Sequence, residues 1–242
     1  MACIEVEHLS VAYGGVPALV EASLRVEAGS ICALVGMNGA GKSTLLKALM
    51  GFVAAHSGQV TIEGLSIPLA LRRQLVAYMP QTEQVDWQFP IRVADVVMMG
   101  RYGRMSLLRL AGAEDRRAVR QALDRVDLWS LRGRQIGSLS GGERKRAFLA
   151  RTLAQEADVL LLDEPFAGVD IRTERLIIEV LLERRAAGAA VLIATHGLEA
   201  IPDFCDQVVL INRTVVAYGE TSEVFTKANL LRTFSTSPSS GG

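Results

Sequence analysis

The chain has 242 residues, half of them hydrophobic and 21% charged, with 26 basic and 26 acidic side chains. That length buries a sizeable core in one large domain, or in a domain with a subdomain. The balanced charge offers none of the basic field on which nucleic-acid binders rely, so no nucleic-acid partner is expected. Cys3, Cys32 and Cys205 are widely spaced with no CxxC pair, and read as reduced core thiols rather than a metal site or a disulfide framework. The first residues lack the basic-then-apolar pattern of a secretory signal. No apolar run reaches the roughly 18 residues of a membrane span, so the chain is expected not to cross a membrane itself.

In chain order, "IEVEHLSVAY" and "SLRVEAG" alternate apolar and polar residues as half-buried antiparallel strands do. "SICALVG" is a more continuous apolar run, the pattern of a strand buried on both faces. A helix follows over Ser43–Met50, with Gly51 placed to end it. "GQVTIEG" and "QLVAYMP" read as further strands. From Val93 to about Ala157 the pattern turns helical, most clearly in "EDRRAVRQALDRVDL" and "GERKRAFLARTLAQEA". Strand-like runs return at "DVLLLDEP", "AAVLIATH" and "QVVLINR", separated by helices near 172–187 and 197–205. "STSPSSGG" at the end is low-complexity and reads as a mobile tail. An α/β core interrupted by a mostly helical insertion accounts for this order.

"GMNGAGKST", Gly36–Thr44, fits the phosphate-binding pattern G-x-x-x-x-G-K-[ST] between a predicted strand and a predicted helix. Gly36, Gly39 and Gly41, with Asn38 and Ala40 between them, let successive backbone N–H groups curl around phosphate oxygens. The following helix start, with Thr44 in its first turn, adds partial positive charge. Lys42 would reach the β- and γ-phosphates, and the Ser43 hydroxyl would ligate Mg²⁺. "VLLLDEP" supplies the complement. Four apolar residues bury a strand whose end presents Asp163, to hold Mg²⁺, and then Glu164, where a general base would act on water near the γ-phosphate. "SLSGGERKRAFLARTLA" opens on a capping box, Ser140 with Glu143, and Gly141 and Gly142 inside it bare a helix N-terminus to an approaching anion.

These motifs, with the glutamine of "YMPQ", "AGVD" and the "TH" of Thr195–His196, resemble the nucleotide-binding subunits of ABC transporters from the start of the chain to about residue 230. The resemblance implies a P-loop NTPase fold with a mainly parallel sheet, an N-terminal antiparallel β subdomain and a helical insertion. On that reading an ATPase domain spans 1–234, with a RecA-like core over about 1–85 and 158–234, a helical subdomain over about 86–157, and a flexible tail at 235–242. It further implies a head-to-tail dimer with two ATP molecules between the copies, each gripped by one P-loop and by Ser140, Gly141 and Gly142 of the other copy. By the same resemblance Tyr13 stacks on adenine, against the plainer reading of a strand tyrosine at the core edge. Gln81 touches Mg²⁺ or the attacking water, Asp170 lies at the dimer seam, and His196 bonds the γ-phosphate across from Glu164. Two residues depart from the pattern. Glu143 stands where many members have glutamine, and it still completes the capping box. Gly197 stands where an acidic residue often follows the histidine, which leaves the orientation of His196 open.

"EQVDWQFPIRVADVVMMGRYG" with "DEPFAGVD" is similar to the subunits of bacterial importers for manganese, zinc or iron. That similarity implies a membrane permease, contacted near Gln81–Pro90, and a periplasmic or lipoprotein metal-binding protein in the same system. It places the chain on the cytoplasmic side of the membrane. Val85, Trp87 and Phe89 would anchor a permease helix, unless they pack internally against the insertion. Two other readings stay open on sequence grounds. One is an importer ATPase for a siderophore or cobalamin. The other is an ABC ATPase of repair or translation with no transporter, although no tandem domain, long coiled-coil arm or cysteine cluster points to it.

Overall fold

The computed structural model describes residues 2–81, 89–105 and 109–235. Val85 and Trp87, proposed above as anchors, lie outside them, as does the end of the chain beyond Ser235. The first strands are β1 Ala2–Tyr13 and β2 Val16–Glu27, followed by β3 Ile31–Val35 and the helix α1 Lys42–Leu49. Next come β4 Ser57–Ile62, β5 Leu65–Ser66, α2 Ile67–Arg72 and β6 Val76–Met79. The helical stretch holds α3 Val93–Met98, α4 Ala113–Arg125 and α5 Gly141–Ala154. The chain returns through β7 Val159–Asp163, α6 Ile171–Ala186, β8 Ala190–Thr195, α7 Ile201–Phe204, β9 Gln207–Asn212, β10 Thr214–Glu220, α8 Thr221–Val224 and α9 Lys227–Phe234.

Two sheets result. One is antiparallel in the order β2-β1-β4-β5, and the other runs β10-β9-β3-β8-β7-β6. In the second, every pairing is parallel except that of the edge strand β10 with β9. β3, β7 and β8 are buried along their whole length, as the continuous apolar runs require. Because strand side chains alternate between faces, each strand feeds two cores. Ile31, Ala33, Val35, Leu160, Leu162, Val191 and Ile193 pack with residues of α3 to α6 on one face. Cys32, Leu34, Leu161, Leu192 and Ala194 pack with β1, β2, β4 and α1 on the other. The sheet is thereby a rigid partition, and the loops leaving the C-terminal ends of β3, β7 and β8 emerge side by side.

The three cysteines are free and buried. Burial pushes the Cys3 and Cys205 thiols up to about 12, and Cys32 higher still, so none carries thiolate character near neutrality. α1 ends as the sequence indicates, with Gly51 at φ +67 donating its N–H to Ala48 O at 2.9 Å. The helix expected over 197–205 is shorter, only Ile201–Phe204. Pro202 has no N–H for an interior turn and fits only the first turn of a helix, so the helix cannot run through it from residue 197. β10, α2, α8 and α9 are further elements that the sequence pattern did not mark.

Candidate phosphate-binding site

β3 ends at Val35 and α1 begins at Lys42, so the glycine-rich turn spans the top of the central strand. Two glycines there are sterically fixed. A Cβ on Gly36 would collide with the backbone O of Ile211. Gly41 has φ +101, and a Cβ on it would fall 2.6 Å from Leu19 Cδ2 and 2.8 Å from Ala18 O. Ala40 turns its side chain into the core and donates its N–H to Met37 O at 3.1 Å. Lys42, buried, folds back over the turn. Its Nζ donates to Gly36 O at 2.7 Å and to Met37 O at 3.3 Å, and lies 3.7 Å from Glu164 Oε1.

Asp163 closes β7 and is buried. Its carboxyl is raised above the ordinary range, chiefly by that burial, with the Ser43 hydroxyl and Lys42 acting in the opposite sense. Oδ1 has no hydrogen-bond donor. A buried carboxylate oxygen without a donor, beside a serine hydroxyl, is the kind of hard oxygen pair that Mg²⁺ takes. Glu164 follows in the left-handed region at φ +52, uncommon for a side chain of its size. This twist points its carboxylate back over the glycine-rich turn. Oε2 lies 2.8 Å from His196 Nδ1, just past the end of β8. This contact at hydrogen-bond distance sets the ring orientation that Gly197 left open.

A cavity of about 520 Å³ lies against these groups, lined by Met37, Asn38, Gly39, Gly41, Lys42, Ser43 and Thr44 of the turn and by Gln81, Glu164 and His196. Its volume falls in the range of about 300–1,000 Å³ that small-molecule sites occupy. Ala18 and Ala167 complete its wall; Ala167 opens the "AGVD" run, whereas Ala18 carried no sequence signal. Tyr13 is 47% exposed at the end of β1 and does not line it.

Ser140, Gly141 and Gly142 do not line it in the same chain either. They form the start of α5, where Ser140 N–H donates to Glu143 Oε2 at 2.7 Å and Glu143 N–H to Ser140 Oγ at 3.3 Å. The capping box is therefore complete, and the Ser140 N–H holds the Glu143 carboxyl below its usual range. A Cβ on Gly141 would meet nothing within 4 Å, so this helix start presents bare backbone. Asp170 caps α6, accepting from Thr173 N at 2.8 Å, and lines a separate cleft of about 200 Å³ with Arg146 and Arg172.

One buried group escaped the sequence reading. Lys145 lies on the apolar stripe of α5 with Phe148, Leu149 and Thr152, and is 7% exposed. A lysine inside a helical apolar stripe is itself a signal, because lysine is seldom buried without a partner.

A family model described as "ABC transporter" matches residues 19–167. The chain is 54% identical over 232 residues to the manganese transport system ATP-binding protein MntA of Synechocystis, an alignment covering 96% of this chain and 89% of the other. It is 52% identical over 230 residues to the chelated iron transport system membrane protein YfeB of Yersinia pestis, covering 95% and 78%. Among solved structures, the ATP-binding cassette MJ1267 of an ABC transporter superposes with a TM-score of 0.84 at 26% identity, over 98% of this chain and all of that one.

Proposed function

The chain belongs to the ABC transporter ATP-binding family, and from that premise we propose that it powers the import of a metal ion: manganese, zinc or iron. ATP hydrolysis coupled to transport is the family's activity, so a membrane permease is its working partner. Among the described residues no helix is long and apolar enough to cross a membrane. The chain would sit on the cytoplasmic side, held to the permease through the segment Gln81–Pro90, where Phe89 is 59% exposed. A periplasmic or lipoprotein metal-binding protein would deliver the cargo. The manganese named for the Synechocystis relative above supports a metal-ion cargo over a siderophore or cobalamin.

The observation that carries the chemistry is the meeting of Lys42, Glu164 and His196 on one cavity wall, with Glu164 Oε2 2.8 Å from His196 and Oε1 3.7 Å from Lys42. In the ATP state Lys42 would leave its carbonyl partners for the β- and γ-phosphates, and the N–H groups of Gly39, Gly41, Ser43 and Thr44 would hold the phosphate oxygens. Ser43, Asp163 and Gln81 would hold Mg²⁺, which when bound neutralises charge on the β- and γ-phosphates. Glu164 orients and deprotonates the attacking water, and His196 steadies the carboxylate and reaches the γ-phosphate. Tyr13 stacks on adenine beyond the cavity mouth. Ser140, Gly141 and Gly142 of a second copy cover the γ-phosphate, which gives the bare start of α5 its purpose, and Asp170 lies at the seam between the copies.

Deleting this chain from its host should lower cellular manganese, zinc or iron, measured by elemental analysis. Replacement by the Lys42→Ala form should not restore uptake. Unchanged manganese, iron and zinc in the deletion strain would overturn the metal cargo.

A further inference from the structure

Glu164 is held in its left-handed conformation from two directions. Its N–H donates to Ala194 O of β8 at 2.9 Å. Its carbonyl accepts from Lys145 Nζ, reaching in from α5 at 2.8 Å. A non-glycine residue at φ +52 persists only where its surroundings over-determine it. β8 belongs to the sheet, whereas Lys145 belongs to the helix that begins at Gly141, about a turn further along it. The carbonyl of Glu164 therefore takes its position from α5, and the carboxylate that faces Lys42 and His196 is fixed by the same residue's backbone.

We propose that Lys145 is a positioning residue for ATP hydrolysis, tying the backbone of Glu164 to the helix whose first turn, Ser140 to Gly142, meets the nucleotide of the second copy. The proposal rests on the reading of Glu164 as the base. It makes one rigid helix serve both ATP sites of a dimer. Its N-terminus grips the nucleotide held by the partner, while Lys145 sets the base of its own chain. When α5 shifts as the second copy closes, the carbonyl of Glu164 shifts with it, and the two sites fire in a linked way.

The test compares Lys145→Met, which has no donor, with Lys145→Gln, whose amide can still donate to the carbonyl, in steady-state ATPase assays on the full chain. Lys145→Met should lower kcat by about 10- to 100-fold, the scale of a misplaced catalytic group. It should leave the KM for ATP and nucleotide binding within about twofold and bring the Hill coefficient toward 1. Lys145→Gln should recover most of kcat. If Lys145→Met does not fold, Lys145→Leu, which likewise has no donor for the Glu164 carbonyl, should show the same split.

A Glu164→Gln control separates the two readings. If it hydrolyses ATP normally, Glu164 is not the base and the inference falls with that reading. If Glu164→Gln is inactive while Lys145→Met keeps its kcat, the inference alone is overturned. Equal loss of kcat, KM and melting temperature in both Lys145→Met and Lys145→Gln would assign Lys145 a packing role and overturn it as well.

Discussion

Replacing Arg101 by methionine should lower the melting temperature of the nucleotide-free protein by about 6–12 °C. The guanidinium is enclosed, with 2% of the side chain exposed. Nε donates to Asp115 Oδ1 at 3.0 Å, and Nη1 serves both Ala154 O at 3.0 Å and Glu156 Oε2 at 2.5 Å. One side chain thus joins the turn after α3, the start of α4 and the end of α5. Glu156 and Glu114 are 47% and 82% exposed and return to water when Arg101 is removed, at about 0–1 kcal/mol each. Asp115 stays buried, and the Ala154 carbonyl in the last turn of α5 loses this donor. Breaking a buried ion pair from one side costs about 3–5 kcal/mol. Asp115 keeps the Gly112 N–H at 2.9 Å, which favours the lower end. At about 2–4 °C per kcal/mol for a chain of this size, the range above follows.

The pH dependence provides a second check on the same variant. The Asp115 carboxyl lies below its ordinary value of 3.8, held there first by the Gly112 N–H and then by Arg101. A carboxylate depressed in the folded state adds stability above its unfolded pKa and loses it as pH falls through the folded one. The gap between wild type and Arg101→Met should therefore narrow as pH falls below 3.8. Circular dichroism melts at neutral and acid pH read both effects. A drop under about 2 °C at neutral pH, or a gap that widens in acid, would refute the reasoning.

Gly41→Ala should abolish nucleotide binding and lower stability by about 2–5 kcal/mol, combining a strained positive φ with a clash against backbone. Isothermal titration with ATP and a thermal melt would show it, and near-normal affinity would contradict the tight packing against Ala18 and Leu19. Asp163→Asn should raise the melting temperature of the nucleotide-free protein at neutral pH while removing Mg²⁺-dependent hydrolysis. It discharges a buried carboxylate whose Oδ1 has no hydrogen-bond donor. A lower melting temperature would mean that Asp163 stabilises the empty fold.

The legible parts of this fold were those where chemistry and periodicity coincide in a short run. "SICALVG" and "VLLLDEP" announced strands buried on both faces because nothing polar interrupts them, and each ends in residues that line or adjoin the site. Ser140 with Glu143 gave the start of α5 because a capping box is local. What the sequence hid depends on partners far along the chain. Arg101 and Ala154 are 53 residues apart, and Lys145 and Glu164 are 19 apart, so no window reveals their bonds. Edge strand β10 is only half-buried, with weak apolar contrast, and α9 is a single short helix against a low-complexity end. Within α7, Pro202 was a local signal that apolar spacing overrode. Tyr13 lies off the cavity wall of a single chain, and its place beside adenine depends on a bound nucleotide.

The central claim is that Glu164 cleaves an ATP enclosed between two copies of this chain. Light scattering of Glu164→Gln with and without ATP tests it most directly. The account predicts an ATP-dependent species of twice the mass of one chain, retaining unhydrolysed ATP, with turnover reduced by about 10²–10⁴-fold. Adding Ser140→Ala to that variant should return it to single chains. A Glu164→Gln protein that stays monomeric with ATP and hydrolyses it at the ordinary rate would contradict the account.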